Sequence, residues 1–364
     1  MLGIIRLLGL LVLVLLAGCG APQKEDESKI FKGPLVWPQP PDQPRFAFEG
    51  MLRSPADIYI ESEEDRTRFN LTGAKAVSDL PAFEKPAALV ARHGRIYVAD
   101  ITARVIVVFD VPRRKVFRMG MREPGNLAKP SGLALDDDMN VYVADATNRK
   151  IYIYDSLGLF QRSVGGPEDL DRPTGVAVSG DGERIYAVDR GHNENDQHHV
   201  VVYDKDGKKL QIIGSRGNGD GQFNVPLQAT VGSDGTLYVL DAGNFRVQIF
   251  DQNGKFLRSF GGVGTEMGRL ARPRGIAVDA EGYIYVTDGA FNNFQIFDAQ
   301  GRLLLAIGKG DDSNFPGYYG SLNGIAVDET GRVYVADQVF NKIEVIRRLS
   351  NDEGHQKLQE YTNK

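Results

Sequence analysis

The chain has 364 residues, of which 42% are hydrophobic and 25% charged, and its formal net charge is −5. This composition is ordinary for a globular protein with a large core, and it excludes an integral membrane protein for the bulk of the chain. A net negative charge does not favour binding to the phosphates of nucleic acid, so we expect no nucleic-acid partner.

The first predicted element is a leader peptide in residues 1–18. Arg6 precedes an apolar run from residue 7 to residue 17, which is too short for a membrane-spanning helix. The run ends in Leu16-Ala17-Gly18-Cys19, which resembles a bacterial lipobox, and Cys19 is the chain's only cysteine. The resemblance implies export as a lipoprotein acylated on Cys19. Gly20 then favours the outer membrane, facing the periplasm or the cell surface. The alternative is an idle thiol in an ordinary signal peptide.

Residues 19–44 are predicted to be a tether between the lipidated cysteine and a folded domain. The segment begins with a polar run and continues with five prolines: Pro34, Pro38, Pro40, Pro41 and Pro44. Such a composition is typical of a semi-rigid spacer. We therefore expect the folded domain to stand off the bilayer.

Six copies of one unit occupy residues 45–348. Each copy contains a strand-like "IYVAD" element that closes on an aspartate, at Asp100, Asp145, Asp189, Asp241, Asp288 and Asp337. These aspartates recur at intervals of about 44 to 52 residues, the range of four-stranded propeller blades. The sequence predicts an all-β, six-bladed β-propeller, which we expect to be monomeric.

The fourth copy shows the antiparallel order within a blade. Four short runs rich in β-branched and aromatic residues, at 227–231, 236–240, 246–250 and 255–260, are separated by turns of Gly, Asn and Asp. The sixth copy has only three such runs before residue 348. An unpartnered apolar run at 45–52 is predicted to supply its fourth strand and close the ring, since an open ring would expose strand edges. Residues 349–364 are predicted to be a polar tail.

The unit resembles the NHL repeat. The stretches that match include Asp145-Ala146-Thr147-Asn148-Arg149, Gly221-Gln222-Phe223 and Arg272-Pro273-Arg274-Gly275. The resemblance covers roughly residues 45–348 and implies a propeller that binds other molecules in most relatives and catalyses in a minority. The first copy departs from the pattern, because Pro86-Ala87-Ala88 lacks the usual glycine.

Function is expected where the repeat is interrupted. The six repeated aspartates are interpreted as turn-forming residues that accept backbone N–H groups, because every blade contains one. In an antiparallel blade, the loops joining strands two and three and those joining strand four to the next blade share one face, called the upper face here. The insertions at 60–85, 190–199 and 309–321 all belong to these loops, which makes the upper face the expected binding face.

Nine residues of the upper face are candidates for binding a protein, peptide or glycan partner at the cell envelope. Three are histidines that could also ligate zinc or copper, although a solvated polar loop is the simpler interpretation. Asp311 is a further weak candidate metal ligand. The candidate binding residues are Arg190, His192, His198, His199, Arg274, Phe315, Tyr318, Tyr319 and Asn323.

The residues at the start of the six inner strands form a ring where related propeller enzymes hold their metal ligands. These residues are Ala87, Ser131, Thr174, Leu227, Arg274 and Asn323. A calcium-dependent lactonase of the gluconolactonase or strictosidine-synthase-like type needs carboxylates there, and an amidating lyase needs histidines around zinc. The ring has neither. We therefore predict a non-catalytic, lipid-anchored binding scaffold without a cofactor, with a metal-dependent propeller enzyme as the alternative.

Overall fold

The computed structural model describes residues 35–59, 81–192 and 196–362. The predicted leader and lipidation site at Cys19, most of the insertion at 60–85 and residues 193–195 lie outside these ranges. The described part of the chain is an all-β, six-bladed propeller, as the repeat predicts.

The strands are numbered in chain order. The first two, β1 (Val36–Trp37) and β2 (Phe46–Leu52), join the last blade. Blade one contains β3 (Pro86–Arg92), β4 (Arg95–Asp100), β5 (Val105–Asp110) and β6 (Lys115–Met119). Blade two contains β7 (Pro130–Leu135), β8 (Val141–Asp145), β9 (Lys150–Tyr154) and β10 (Phe160–Val164). Blade three contains β11 (Pro173–Val178), β12 (Arg184–Asp189), β13 (His199–Asp204) and β14 (Lys209–Ile213).

Blade four contains β15 (Pro226–Val231), β16 (Leu237–Asp241), β17 (Arg246–Phe250) and β18 (Phe256–Gly261). Blade five contains β19 (Pro273–Val278), β20 (Ile284–Asp288), β21 (Asn293–Phe297) and β22 (Leu303–Ile307). An insertion then forms β23 (Lys309–Gly310) and β24 (Tyr318–Tyr319), and blade six contains β25 (Leu322–Val327), β26 (Arg332–Asp337) and β27 (Lys342–Arg348). Each blade is an antiparallel meander whose first strand is innermost, and the core consists of apolar layers between neighbouring blades.

The predicted closure of the ring is confirmed. Strand β2 pairs antiparallel with β27, with Phe48 opposite Ile346 and Leu52 opposite Ile343. Arg332 of β26 also reaches across to Glu49 of β2, with Nε 2.6 Å from the carboxylate. The two ends of the propeller are thus joined within one sheet.

The expected boundary of the tether needs a correction. Strand β1 lies within the segment predicted as tether and pairs with β2, with Val36 opposite Ala47 and Trp37 opposite Phe46, so blade six has five strands. Val36 is only 2% exposed. The folded part therefore includes residues 35–44.

The predicted polar tail also has structure. Residues Asn351–Thr362 form a helix, α1, which follows β27 directly. Arg347 holds its first turn through a 2.7 Å ion pair with Glu353, and Arg45 donates to the side chain of Asn351. Across the described ranges we find no helix with the length and apolar character needed to cross a membrane.

The six repeated aspartates serve the fold, as expected. All six are 0% exposed. In blade two, one carboxylate oxygen of Asp145 accepts the N–H groups of Ala128 and Lys129 at 2.6 and 2.9 Å, and the other accepts those of Thr147 and Asn148 at 3.0 and 2.9 Å. Each such aspartate ties a loop between strands two and three to the loop entering its blade. This confirms that both kinds of loop share the upper face.

Candidate functional site

The insertion before blade six forms a small platform on the upper face, defined here as residues 309–319. Its two ends pair in parallel, with Lys309 opposite Tyr318 and Gly310 opposite Tyr319. Blades four and five have single bridges in the corresponding loops, Arg216 to Phe223 and Val263 to Leu270. The platform is therefore a longer version of a loop that the neighbouring blades also have.

A buried ion pair supports the platform from below. Lys342 Nζ lies 2.7 Å from the carboxylate of Glu344, and both side chains are 0% exposed. Lys342 also donates to the carbonyl oxygens of Phe315 and Tyr318, while Glu344 accepts the N–H of Gly317 at 3.0 Å. Every charged atom of this pair faces a partner, which is the condition for a buried ion pair to be tolerated.

Blades four and five use a neutral side chain at the position of Glu344. Gln248 accepts the N–H of Gly221 at 2.9 Å, and Gln295 accepts that of Gly268 at 2.7 Å. Their amide groups also donate to carbonyl oxygens of the same loops, at Gln222 and Arg269. In blade six the charged Glu344, paired with Lys342, therefore holds the loop that an uncharged glutamine amide holds in blades four and five.

Tyr319 does not offer contact area to a partner, contrary to the expectation from the sequence. Its side chain is 0% exposed, and its hydroxyl donates to Glu344 at 2.7 Å. Burial and the Glu344 carboxylate raise the pKa of Tyr319 well above its usual value. Tyr319 occupies the position of Phe223 and Leu270 and anchors the platform in the core.

Two other aromatic candidates do reach the surface of the platform. Phe315 and Tyr318 are half-buried, and Lys309 Nζ lies 4.7 Å from the centre of the Tyr318 ring. A cation over an aromatic face is attracted by the electrons of the ring. Asp311 accepts the N–H of Ser313 at 2.8 Å, which is a turn contact.

The three candidate histidines point to different partners. His192 Nδ1 pairs with the Asp171 carboxylate. His198 is 1% exposed, and its Nδ1 accepts the N–H of Val225 at 3.1 Å, which ties the loop to the start of blade four. His199 opens β13 opposite Asp189. Within the residues that the structure describes, no three His, Cys, Asp or Glu side chains converge in a group that could hold a metal ion.

Burial favours the uncharged form of His198 and of His199. Burial, followed by the charge of Arg216, lowers the pKa of His198, and burial also lowers the pKa of His199. A neutral His198 is consistent with its contact, because Nδ1 can accept an N–H only when it carries no proton. His198 is therefore a structural residue of the loop rather than a surface contact.

A side chain of blade four is hydrogen-bonded to the predicted ring at the upper end of the channel. Gln228 stands where the other inner strands carry alanine or glycine, and its amide donates to the carbonyl oxygens of Ser131 and Thr174 at 2.9 and 3.0 Å. The inner strands approach closely at this level, because a Cβ on Gly132 would lie 2.6 Å from the Cα of Gly175. Gln228 thus links blades two, three and four at this level.

Two candidate arginines stand at this upper opening. Arg274 is the second residue of β19, and Arg190 directly follows β12. Both are half-buried. Asn323 holds the same position in β25 as Arg274 holds in β19. The structure therefore brings Arg190 and Arg274 to one end of the channel, while Phe315 and Tyr318 lie on the separate platform.

A cavity of about 920 Å³ opens on the opposite, lower face. It is not predicted from the sequence, because it depends on how far the inner strands separate below the level of Gln228. Its walls include the apolar residues Leu133, Val176 and Ile276, and Arg274 also lines it. Acidic residues outnumber basic ones among the remaining charged lining residues, which include Asp137, Asp181, Asp234, Asp328 and Glu329 beside Arg92 and Arg184. Several rim carboxylates already form turns or ion pairs, such as Asp137 with Arg92 at 2.7 Å.

Comparison with known proteins identifies one repeat by sequence. Residues 223–250 match the family model of the NHL repeat. The chain contains an NHL repeat. The chain is also 33% identical over 82 residues to the human NHL repeat-containing protein 3, a match that spans 22% of this chain and 23% of that protein.

Solved structures share the fold over much greater lengths. A gluconolactonase from Xanthomonas campestris superposes with a TM-score of 0.56 at 17% identity, over 83% of this chain and 98% of that one. The virginiamycin B lyase of Staphylococcus aureus gives 0.54 at 15% identity, over 84% and 100%. A protein of unknown function from Bacteroides thetaiotaomicron gives 0.58 at 16% identity, over 82% and 76%. At these identities the likeness concerns the fold alone.

Proposed function

We propose that the protein is a non-catalytic binding propeller, anchored to the cell envelope through a lipid on Cys19, whose upper face captures a ligand or partner. The observation that carries the proposal is the platform at 309–319. It is an insertion that the repeat does not need, yet a fully buried ion pair and Tyr319 hold it in place. A surface held this firmly can present Phe315 and Tyr318 at little cost in conformational entropy.

The enzymatic alternative receives support from the fold of the lactonase and the lyase, but not from the donor groups at the channel. The ring residues of this chain include one amide, Asn323, and no carboxylate. Calcium prefers six to eight oxygen ligands, and catalytic zinc usually has three protein ligands. Elemental analysis of the purified protein separates the two functions: stoichiometric calcium or zinc would favour the enzyme.

If the upper face captures the partner, replacing its exposed and half-buried residues should abolish binding. Combined alanine replacement of Arg190, His192, Phe315 and Tyr318 should remove partner capture while changing the melting temperature little, because exposed or half-buried contacts contribute little to folding. Chemical crosslinking on intact cells, followed by mass spectrometry, measures capture. Tyr319 is left unchanged because it is part of the core.

The matched control replaces lower turns of similar polarity, Asp137 and Asn253, with alanine. These variants should retain the crosslinked partner. Crosslinks that map to the lower turns, and that disappear in the control instead, would show that the binding face is the opposite one.

Anchoring is tested separately from capture. Replacing Cys19 with serine should release the protein from membranes and abolish labelling with fatty acids, because the sulfur is the only thiol that could be acylated. Membrane fractionation and acyl labelling measure the two effects. A Cys19→Ser variant that still sediments with membranes and still incorporates labelled fatty acid would contradict the lipoprotein assignment.

A further inference from the structure

Two arginines at the upper opening of the channel are absent from the corresponding positions of the other blades. The position of Arg190, one residue after the repeated aspartate, is neutral in the other five blades: Ile101, Ala146, Ala242, Gly289 and Gln338. The position of Arg274 is also neutral in the other five: Ala87, Ser131, Thr174, Leu227 and Asn323. The propeller fold therefore does not require a cation at either place.

Neither arginine has a partner in the described part of the chain. Both guanidinium groups are half-buried, yet no hydrogen bond or ion pair is formed by either. Other arginines at comparable depth are paired, for example Arg95 with Asp110 at 3.0 Å and Arg246 with Asp241 at 2.9 Å. Leaving a partly desolvated cation unpaired is costly.

The surroundings add positive charge rather than compensate for it. Burial, followed by repulsion from Arg172 and Arg274, lowers the pKa of Arg190. Burial and then Arg272 lower the pKa of Arg274, with only Asp288 acting in the opposite direction. The Asp288 carboxylate is already used by the N–H groups of Ala271 and Ala290, at 2.7 and 2.8 Å. Arginine keeps its proton in proteins, so the two charges remain.

The charges of the two faces also give a direction of approach. The cavity on the lower face has acidic residues at its rim, among them Asp181, Asp234 and Glu329, which repel an anion. The amide of Gln228 donates to carbonyl oxygens of blades two and three between the rim and the upper opening. An anion is thus repelled at the lower rim and attracted at the other end of the channel by Arg190 and by Arg274, which also lines the cavity.

We propose that Arg190 and Arg274 together bind one anionic group, a carboxylate or a phosphate, of a small ligand at the upper opening of the channel. Guanidinium groups match both anions with paired N–H donors, and such charge-assisted hydrogen bonds are the strong ones. The proposal rests on ligand capture by the upper face and specifies the chemical class of the ligand.

The test is a calorimetric titration of the purified full chain in detergent with sodium succinate and with sodium phosphate, against sodium chloride at matched ionic strength. We expect saturable binding of at least one of the two anions. Arg190→Gln and Arg274→Gln should each weaken it by about tenfold or more, the loss expected for one charge-assisted pair. Binding of succinate alone would indicate a carboxylate ligand, and binding of phosphate alone a phosphate ligand.

Arg118→Gln is the matched control, because Arg118 is an exposed arginine on the outer strand β6 and its loss should leave binding unchanged. Melting temperatures without anion show that the variants fold. Absence of saturable binding, or equal affinity of Arg190→Gln, Arg274→Gln and the unsubstituted chain, would overturn the anion site. If the crosslinked partner is then still lost on replacing Phe315 and Tyr318, the binding function stands without it.

Discussion

Removing residues 1–54 should open the ring and leave a chain that aggregates or fails to fold. The truncation deletes β2 and exposes β27, whose Ile343 and Ile346 are 0% exposed in the intact blade. Phe46 and Leu52 are also lost from the core, and each buried side chain of this kind contributes about 1.5–3 kcal/mol. The sum is comparable with the roughly 5–15 kcal/mol by which a domain is stable. An unpaired strand edge adds a site for aggregation. Size-exclusion chromatography and thermal unfolding measure the outcome.

Two shorter truncations serve as controls. A chain beginning at Pro34 keeps every described contact and should melt like the full chain. A chain beginning at Gln43 loses β1 alone, including the buried Val36, and should be destabilised by about 1.5–3 kcal/mol. If all three truncated chains melt at the same temperature, the two N-terminal strands do not close the ring.

The architecture could be predicted because its signals are local and repeated. The "IYVAD" element, its terminal aspartate and the turns around it recur in phase, so each blade independently supports the assignment. The position of β2 could also be predicted, because the sixth copy has only three strand-like runs and needs a fourth strand from elsewhere in the chain. Asp145 illustrates why the interpretation of the aspartates was right: its four N–H donors come from two loops that every blade contains.

The errors arose where the pattern is short or its alignment was missed. Strand β1 has only two residues and lies among prolines, so composition favours a tether. Tyr319 carried a usable signal, because Gly317-Tyr318-Tyr319 aligns with Gly221-Gln222-Phe223, whose aromatic residue is also 0% exposed. The cavity on the lower face depends on the separation of inner strands from different blades, which no local pattern records.

Charge at the site was only partly visible in the sequence. Arg190 and Arg274 could be named as upper-face candidates from their places in the repeat. That neither has a partner depends on which side chains of blades three and five surround them, and in particular on Asp288 being occupied by backbone N–H groups. Lys342 and Glu344 occupy variable positions of the repeat, so their complete burial was not predicted either.

The ion pair of blade six should respond to substitution in a strongly non-additive way. Lys342→Met leaves the Glu344 carboxylate buried without a cation and removes the donor to the carbonyl oxygens of Phe315 and Tyr318. We expect a loss of about 3–5 kcal/mol in the free energy of unfolding, as for other buried pairs broken on one side. Glu344→Gln alone should also destabilise, because it leaves Lys342 charged and buried. Equilibrium denaturation with urea measures both.

The double variant Lys342→Asn/Glu344→Gln places the residues of blade five, Asn293 and Gln295, in blade six. In blade five Gln295 fastens the corresponding loop through Gly268 and Arg269 without any charge. The double variant should therefore be more stable than Lys342→Met, since no isolated charge remains and an amide can still accept the N–H of Gly317. Destabilisation equal to the sum of the effects of the single variants Lys342→Asn and Glu344→Gln would mean that the two side chains act independently. In that case the platform would depend on Tyr319 and its backbone pairing rather than on the ion pair.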